Sequence, residues 1–258
     1  MSNDYLQADV AQSYKHLPKN IDALLCYPLL LRALQITPEQ PYHLLDYGCG
    51  PGEVARRFCG DFAHLRITAV DEAAEMIRIA RATHSHEHIT YRTIQKNTLP
   101  FLPDHSLDAA MALFVLINVS SQQHLRHILQ EVFRVLKPNA PFVVLDAHPD
   151  GLGKRFLDYQ AGTPGKGYQP GEAYPVQLFS SGEPLMQVTN YYWPKEIYFT
   201  LFAQAGFSQI KSQEPTLKEL SEEERVPFEA HFGSCHTFTE WEVPPYLIVR
   251  GVKPAVSA

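Results

Sequence analysis

Leu44-Leu-Asp-Tyr-Gly-Cys-Gly-Pro-Gly52 decides how this chain folds. His43 to Asp46 is a short apolar run of the length of a buried strand, and Glu53 to Phe58 reads as a helix. Between them lies Asp46-x-Gly48-x-Gly50-x-Gly52. Glycines let the backbone turn tightly and approach a ligand closely. The helix N-terminus beyond them offers free N–H groups and a partial positive charge to a carboxylate or phosphate. Asp71 stands 19 positions after the last glycine, at the end of the next strand-like run, Ile67 to Val70. A carboxylate there can accept both hydroxyls of a ribose. Loop and acid together point to a nucleoside-containing cofactor. The glycine spacing departs from G-x-G-x-x-G, and no Gly-Lys-Ser/Thr follows as in a phosphate-binding loop.

Outward from this stretch, strands and helices alternate. Residues 73–82 form a helix, 89–94 a strand, 107–113 a strand, 121–136 a helix ending at Lys137-Pro-Asn, and 142–145 a fifth strand. Such alternation predicts βαβ units and an α/β, doubly wound, seven-stranded and mostly parallel sheet, with ligands outside the carboxyl ends of the strands. Upstream, 4–16 and 20–36 read as helices; Asn20 suits the cap of the second, and Pro28 breaks or restarts it. Downstream, 151–175 is rich in Gly and Pro, and loops beyond about 15 residues are usually functional or disordered. Runs 176–179 and 185–191 suggest a hairpin, 195–205 a helix capped by Gly206, and 208–211 and 246–250 the last two strands around an acidic, partly helical insert. The predicted organisation is one catalytic domain over 1–258: an N-terminal helical cap (1–40), a cofactor-binding core (41–150), a lid and hairpin cap (151–193), and the C-terminal part of the sheet with its insert (194–258).

The 258 residues are 45% hydrophobic, enough for a sizeable core, and 22 basic residues face 28 acidic ones, a net charge of −6. That balance works against nucleic-acid and anionic-membrane partners, which are bound through basic patches. No window reaches the roughly 18 apolar residues of a membrane span. The four cysteines lack C-x-x-C spacing, and Met-Ser-Asn-Asp carries no secretory signal pattern, so a reduced, cytoplasmic protein is expected, as monomer or homodimer. Thirteen tyrosines, many of them between Tyr159 and Tyr198, suggest an aromatic pocket wall in the lid and cap.

Residues 44–52 resemble the signature of class I S-adenosylmethionine (SAM) methyltransferases. The resemblance continues through Ala69-Val-Asp-x-x-x-x-Met-Ile77, Asn97-Thr-Leu-Pro-Phe101, Leu107-Asp108 and Glu131-Val-Phe-Arg-Val-Leu-Lys-Pro-Asn139. It implies a Rossmann-like methyltransferase fold and SAM as cofactor. Gly48, Gly50 and Gly52 would pass beneath the methionine part, with Cys49 a small residue beside it and Asp46 near its amino group. Asp71 would hold the ribose. Glu72 and Met76 would flank the adenine, Lys96 and Asn97 would read its edge, and Phe114 to Ile117 would line the sulfonium side. Tyr14 lies where this family often places an aromatic over the cofactor. Three positions depart from the pattern: Glu72 is usually apolar, Gln95 replaces an acid, and Asn139-Ala140 replaces Gly-Gly. Thr189-Asn-Tyr-Tyr-Trp193, Gln204-Ala-Gly-Phe207 and Phe238-Thr-Glu-Trp-Glu-Val-Pro-Pro245 resemble the small-molecule methyltransferases grouped with toxoflavin synthase. That branch implies a small, planar or heterocyclic acceptor methylated at N or O.

Methyl transfer is an in-line displacement, so the protein chiefly orients the reactants and excludes water. His148, after the fifth strand, is the expected general base; Asn118, Tyr174 and Tyr192 are the other expected catalytic or orienting groups. Aromatic faces stabilise a sulfonium by about 0.5–2 kcal/mol each. His84-x-His86-x-His88 reads as a solvated loop, and no metal is expected. Two other readings stand beside transfer. One is a SAM-consuming enzyme whose substrate amine attacks its own γ-carbon, giving azetidine-2-carboxylate and methylthioadenosine. The other is a non-catalytic SAM-binding docking module.

Overall fold

The computed structural model describes residues 4–14, 17, 21–37 and 40–255; Asn20 falls outside them. A single 3-10 turn, Asp4–Leu6, leads into α1 (Ala8–Tyr14). A π-helical turn, Asp22–Cys26, then passes into α2 (Tyr27–Leu34), which restarts with Pro28 in its first turn. There its missing N–H is no loss.

The core follows as β1 (Tyr42–Tyr47), α3 (Glu53–Asp61), β2 (Leu65–Asp71), α4 (Ala74–Thr83), β3 (Ile89–Thr93), β4 (Ala109–Leu113), α5 (Gln122–Val135) and β5 (Pro141–Ala147). The fourth strand begins two residues later than expected, because Leu107 pairs instead with Leu136 at the end of α5. The cap strands β6 (Tyr159–Ala161), β7 (Ala173–Ser180) and β8 (Glu183–Tyr191) come next. After them lie α6 (Lys195–Ala205), β9 (Ser208–Gln213), α7 (Glu222–Phe232) and β10 (Tyr246–Val252).

Seven strands form one sheet in the order β3-β2-β1-β4-β5-β10-β9. β1, β2, β3, β4 and β5 pair in parallel, and β10 runs antiparallel to both β5 and β9. This is the doubly wound, mostly parallel, Rossmann-like sheet that the alternation predicts. Its strand order reverses between β1 and β4, and a crevice opens there at the carboxyl ends.

Side-chain alternation separates the two faces. Leu44, Ile67, Ala69, Met111, Val143, Leu145 and Ile248 pack with the N-terminal helices and the cap. Leu45, Val70, Ala110, Val144, Leu247 and Val249 pack against α5 and α6. On α5, Leu125, Ile128, Leu129, Val132 and Val135 are buried at helical spacing.

One expectation needs correction. The Gly/Pro-rich stretch 151–175 contains a strand, β6, which pairs antiparallel with β7 and extends the hairpin to a three-stranded sheet. Three residues are too few to show a period of two in the sequence. Among the described residues, no helix is long and apolar enough to cross a membrane.

Candidate active site

The crevice at the ends of β1 and β4 holds a cavity of about 1120 Å³, open mouth included. β1 delivers Asp46 to it, and the glycine loop forms one wall. The loop is fixed from below: the N–H groups of Gly48 and Cys49 donate to the Val70 carbonyl at 2.7 and 2.9 Å. From the side, His84 Nδ1 lies 2.7 Å from the Pro51 carbonyl. Gly48 has φ +76°, and a Cβ there would come within 2.3 Å of Val115 Cγ2. A Cβ on Gly50 would meet nothing within 4 Å among the described residues. The loop is thus tight against the protein at its start and open at its crown, as a cradle for a ligand must be.

Asp71 Oδ2 accepts the Gly50 N–H at 2.9 Å and Oδ1 accepts the Ala73 N–H at 2.8 Å. Each oxygen keeps a further acceptor site. Burial pushes this carboxyl up to about 6, while the two N–H groups pull it down. Asp46 is 2% exposed. Burial, and then the neighbouring Asp71, push it up to about 7. Its Oδ2 is buried without a hydrogen-bond partner among the described residues. Burial also raises the Cys49 thiol, which keeps it protonated.

On the opposite side, Glu72 accepts the Asn97 N–H at 3.2 Å, and the Tyr47 hydroxyl donates to Asn97 Oδ1 at 2.9 Å. Glu72, Met76, Ile94 and Asn97 line this end, whereas Lys96 is exposed. At the far end, Phe114 stands in the left-handed region at φ +57°. Such strain in a bulky residue accumulates at functional sites. Asn118 Nδ2 donates to the Phe114 carbonyl at 2.7 Å, and its Oδ1 is a second buried acceptor without a partner among the described residues.

These features fit SAM. Two buried acceptor oxygens, Asp46 Oδ2 and Asn118 Oδ1, suit an ammonium group. Asp71 suits a ribose, and the space above Gly50 suits a ligand lying on the loop.

A second cavity, of about 570 Å³ including its opening, adjoins the first. Tyr5, Asp22 and Phe114 line both. Tyr159, Tyr246, Val176, Leu178, Ile117, Asn190 and Asp158 complete most of its wall.

The other expected residues lie elsewhere. His148 is 3% exposed and lines neither cavity. Its Nδ1 accepts the Asp150 N–H at 3.1 Å, and Nε2 lies 3.2 Å from Glu214 Oε2. Both ring nitrogens are therefore occupied in closing the turn after β5. Tyr174 is buried behind Asn190, edge-on to Tyr168 at 5.7 Å. Tyr192 is tilted against Tyr168 at 6.4 Å. Tyr14 ends α1, and its side chain lies outside the described residues. Among the described residues, no three His, Cys, Asp or Glu side chains gather as metal ligands.

Asp22, Tyr5 and Tyr246 were not singled out by sequence. Asp22 reads there as one more acid in a helix's first turn, and only the packing of the N-terminal segment over the sheet brings it to the crevice.

Fold, glycine cradle and paired acids define a SAM-binding transferase, and similarity to known proteins agrees. A methyltransferase-domain family matches residues 44–139. N-demethylindolmycin N-methyltransferase from Streptomyces griseus is 33% identical over 187 residues, 71% of this chain and 78% of that protein. A demethylmenaquinone methyltransferase from Porphyromonas gingivalis is 34% identical over 116 residues, but the match spans only 43% of this chain and 46% of that one. A crystal structure of a SAM-dependent methyltransferase from Methanosarcina mazei superposes with a TM-score of 0.58 at 17% identity, covering 89% of this chain and 99% of that one. The chain belongs to the SAM-dependent methyltransferases, and SAM is its cofactor.

Proposed function

We propose that the protein transfers the methyl group of SAM to a nitrogen or oxygen of a small, ring-bearing metabolite seated in the second cavity, and that residues 1–258 act as one catalytic unit. The observation that carries this reading is that Tyr5, Asp22 and Phe114 belong to both cavities. An acceptor beyond them faces the end of the cofactor cavity remote from Glu72 and Met76, where the adenine end would lie. Bound SAM supplies a methyl group on a positively charged sulfur. The protein supplies position and dryness. Asp46 and Asn118 would hold the ammonium group, Asp71 the ribose, and Glu72, Met76 and Asn97 the adenine end. Phe114 would set the boundary between the two ligands. The N-demethylindolmycin relative, whose name gives a small nitrogen acceptor, supports a metabolite substrate, as does the resemblance of the cap to the toxoflavin synthase branch.

Mass spectrometry after incubation with SAM alone tests this. Transfer predicts that SAM survives until an acceptor is added. Methylthioadenosine formed faster than in an enzyme-free control would overturn it in favour of cyclisation.

A further inference from the structure

We propose that Asn190 selects the methyl acceptor: its amide N–H donates to a carbonyl oxygen or an unprotonated ring nitrogen on a flat ring seated in the second cavity. The proposal rests on the methyl-transfer reading and narrows it to a substrate class.

The cap sheet carries the argument. Alternation along β7 and β8 puts Asn190 on the same face as its cross-strand partner Tyr174 and as the pairs Val176–Val188 and Leu178–Met186. That face packs on the apolar core. Asn190 places an amide there, 3% exposed and part of the second cavity's wall. It does not line the cofactor cavity. A buried amide is costly unless its hydrogen bonds are made, and it has two N–H groups and one oxygen to satisfy.

Tyr5 takes the oxygen: its hydroxyl donates to Asn190 Oδ1 at 3.3 Å. Tyr174 takes one N–H. Burial, and then Asp146, push that phenol up, while the Asn190 amide pulls it down. A neighbour that favours the phenolate acts as a donor. The oxygen towards Tyr5 and the nitrogen towards Tyr174 fix the amide's orientation, and the nitrogen keeps a second N–H. The other hydroxyls of the wall have given their protons to the protein, Tyr159 to the Pro245 carbonyl and Tyr246 to Asp22 Oδ1, each at 2.5 Å. Among the described residues of the wall, the side-chain donor left for an occupant is therefore the second amide N–H. A ring carbonyl or a pyridine-type nitrogen satisfies it. A hydrocarbon ring leaves it unpaired, and a site built around a buried donor discriminates against such an analogue.

The rest of the wall suits a flat ring. Tyr159 and Tyr246 stack with centroids 6.2 Å apart at 25°, and Phe114 meets Tyr246 edge-on at 5.5 Å. Val176 and Leu178 add an apolar side. The stretch Thr189-Asn-Tyr-Tyr-Trp193 gains a role from this. The Thr189 N–H donates to Asp4 Oδ2 at 2.8 Å, so Thr189 and Asn190 together hold the N-terminal turn that carries Tyr5, and Tyr5 in turn orients the amide.

Equilibrium dialysis of the protein saturated with S-adenosylhomocysteine (SAH) tests this with two matched pairs: 1-indanone with indane, and quinoline with naphthalene. In at least one pair the ring with the acceptor atom should bind roughly tenfold tighter than its hydrocarbon. A preference in the first pair identifies a carbonyl, and in the second a ring nitrogen. Tyr5→Phe, which keeps the ring but has no hydroxyl, should keep the preference. Tyr5→Phe/Asn190→Leu, in which Tyr5 cannot stand in for the amide, should lose it. Equal or tighter binding of both hydrocarbons, loss of the preference in Tyr5→Phe, its persistence in the double variant, or no binding by any probe would overturn the proposal. If the double variant folds poorly, the wild-type and Tyr5→Phe rankings decide. Failure of SAH itself to bind would overturn the methyl-transfer reading; SAH binding without a preference for the acceptor-bearing ring overturns this inference alone.

Discussion

Asp46 is buried near the end of β1 with one carboxylate oxygen unpartnered among the described residues, and burial, then the neighbouring Asp71, push its pKa up to about 7. An incoming ammonium group favours the charged carboxylate, which predominates above that value. SAH binding should therefore tighten as pH rises from about 6 to about 8. Asp46→Asn should weaken binding roughly tenfold near neutral pH and flatten the pH dependence; calorimetry across that range checks both. His148 illustrates the opposite case. Sequence offered it as a base because it follows β5, but strand ends also carry residues that close turns. With its two nitrogens committed to Asp150 and Glu214, His148→Phe should cost about 1–3 kcal/mol of stability, read by denaturant unfolding. SAH affinity should not change. A loss of turnover without a loss of stability would restore its catalytic role.

Among the elements, the strand–loop–helix at 42–61 was legible because each part obeys a local rule: an apolar strand, glycines, then a helix. The glycine loop depends on close approach at Gly48. Gly48→Ala places a methyl against Val115 and forces an alanine to φ +76°. SAH affinity should fall at least roughly tenfold, and Val115→Ala, which removes the clash but not the backbone strain, should restore only part of it. Full restoration would show that strain is unimportant. β6 and the second cavity were not legible. β6 is three residues long and owes its form to pairing with β7. The second cavity draws on Tyr5, Asp22, Phe114, Tyr159, Asn190 and Tyr246, which lie far apart in the chain. The surplus of tyrosine did point towards the cap, yet Tyr174 and Tyr192 pack among rings there while Tyr159 reaches the cavity.

At the scale of the molecule, one sheet organises both cavities, and it buries acids at its carboxyl edge. Asp146 on β5 is fully buried and accepts the Tyr198 hydroxyl at 2.9 Å; burial pushes it up to about 8. A folded-state pKa above the ordinary value of about 4 means that the folded protein holds a proton the unfolded chain has released. This group's contribution is therefore lost as pH rises from about 4 through about 8. The melting temperature of Asp146→Asn relative to wild type should climb across that window, as matched calorimetric scans would show. A constant or falling difference would mean that Asp146 is ionised in the native state.

The crevice between β1 and β4 fits SAM, with Asp71 placed where it would hold the ribose. Calorimetric titration of SAH into the wild-type protein and Asp71→Ala tests it most directly. Saturable binding to the wild type is expected, with affinity weakened at least roughly tenfold in the variant. No wild-type binding at roughly millimolar SAH, a free-energy range in which even weak specific sites register, would contradict the SAM site, and equal affinity in the two proteins would contradict the role of Asp71.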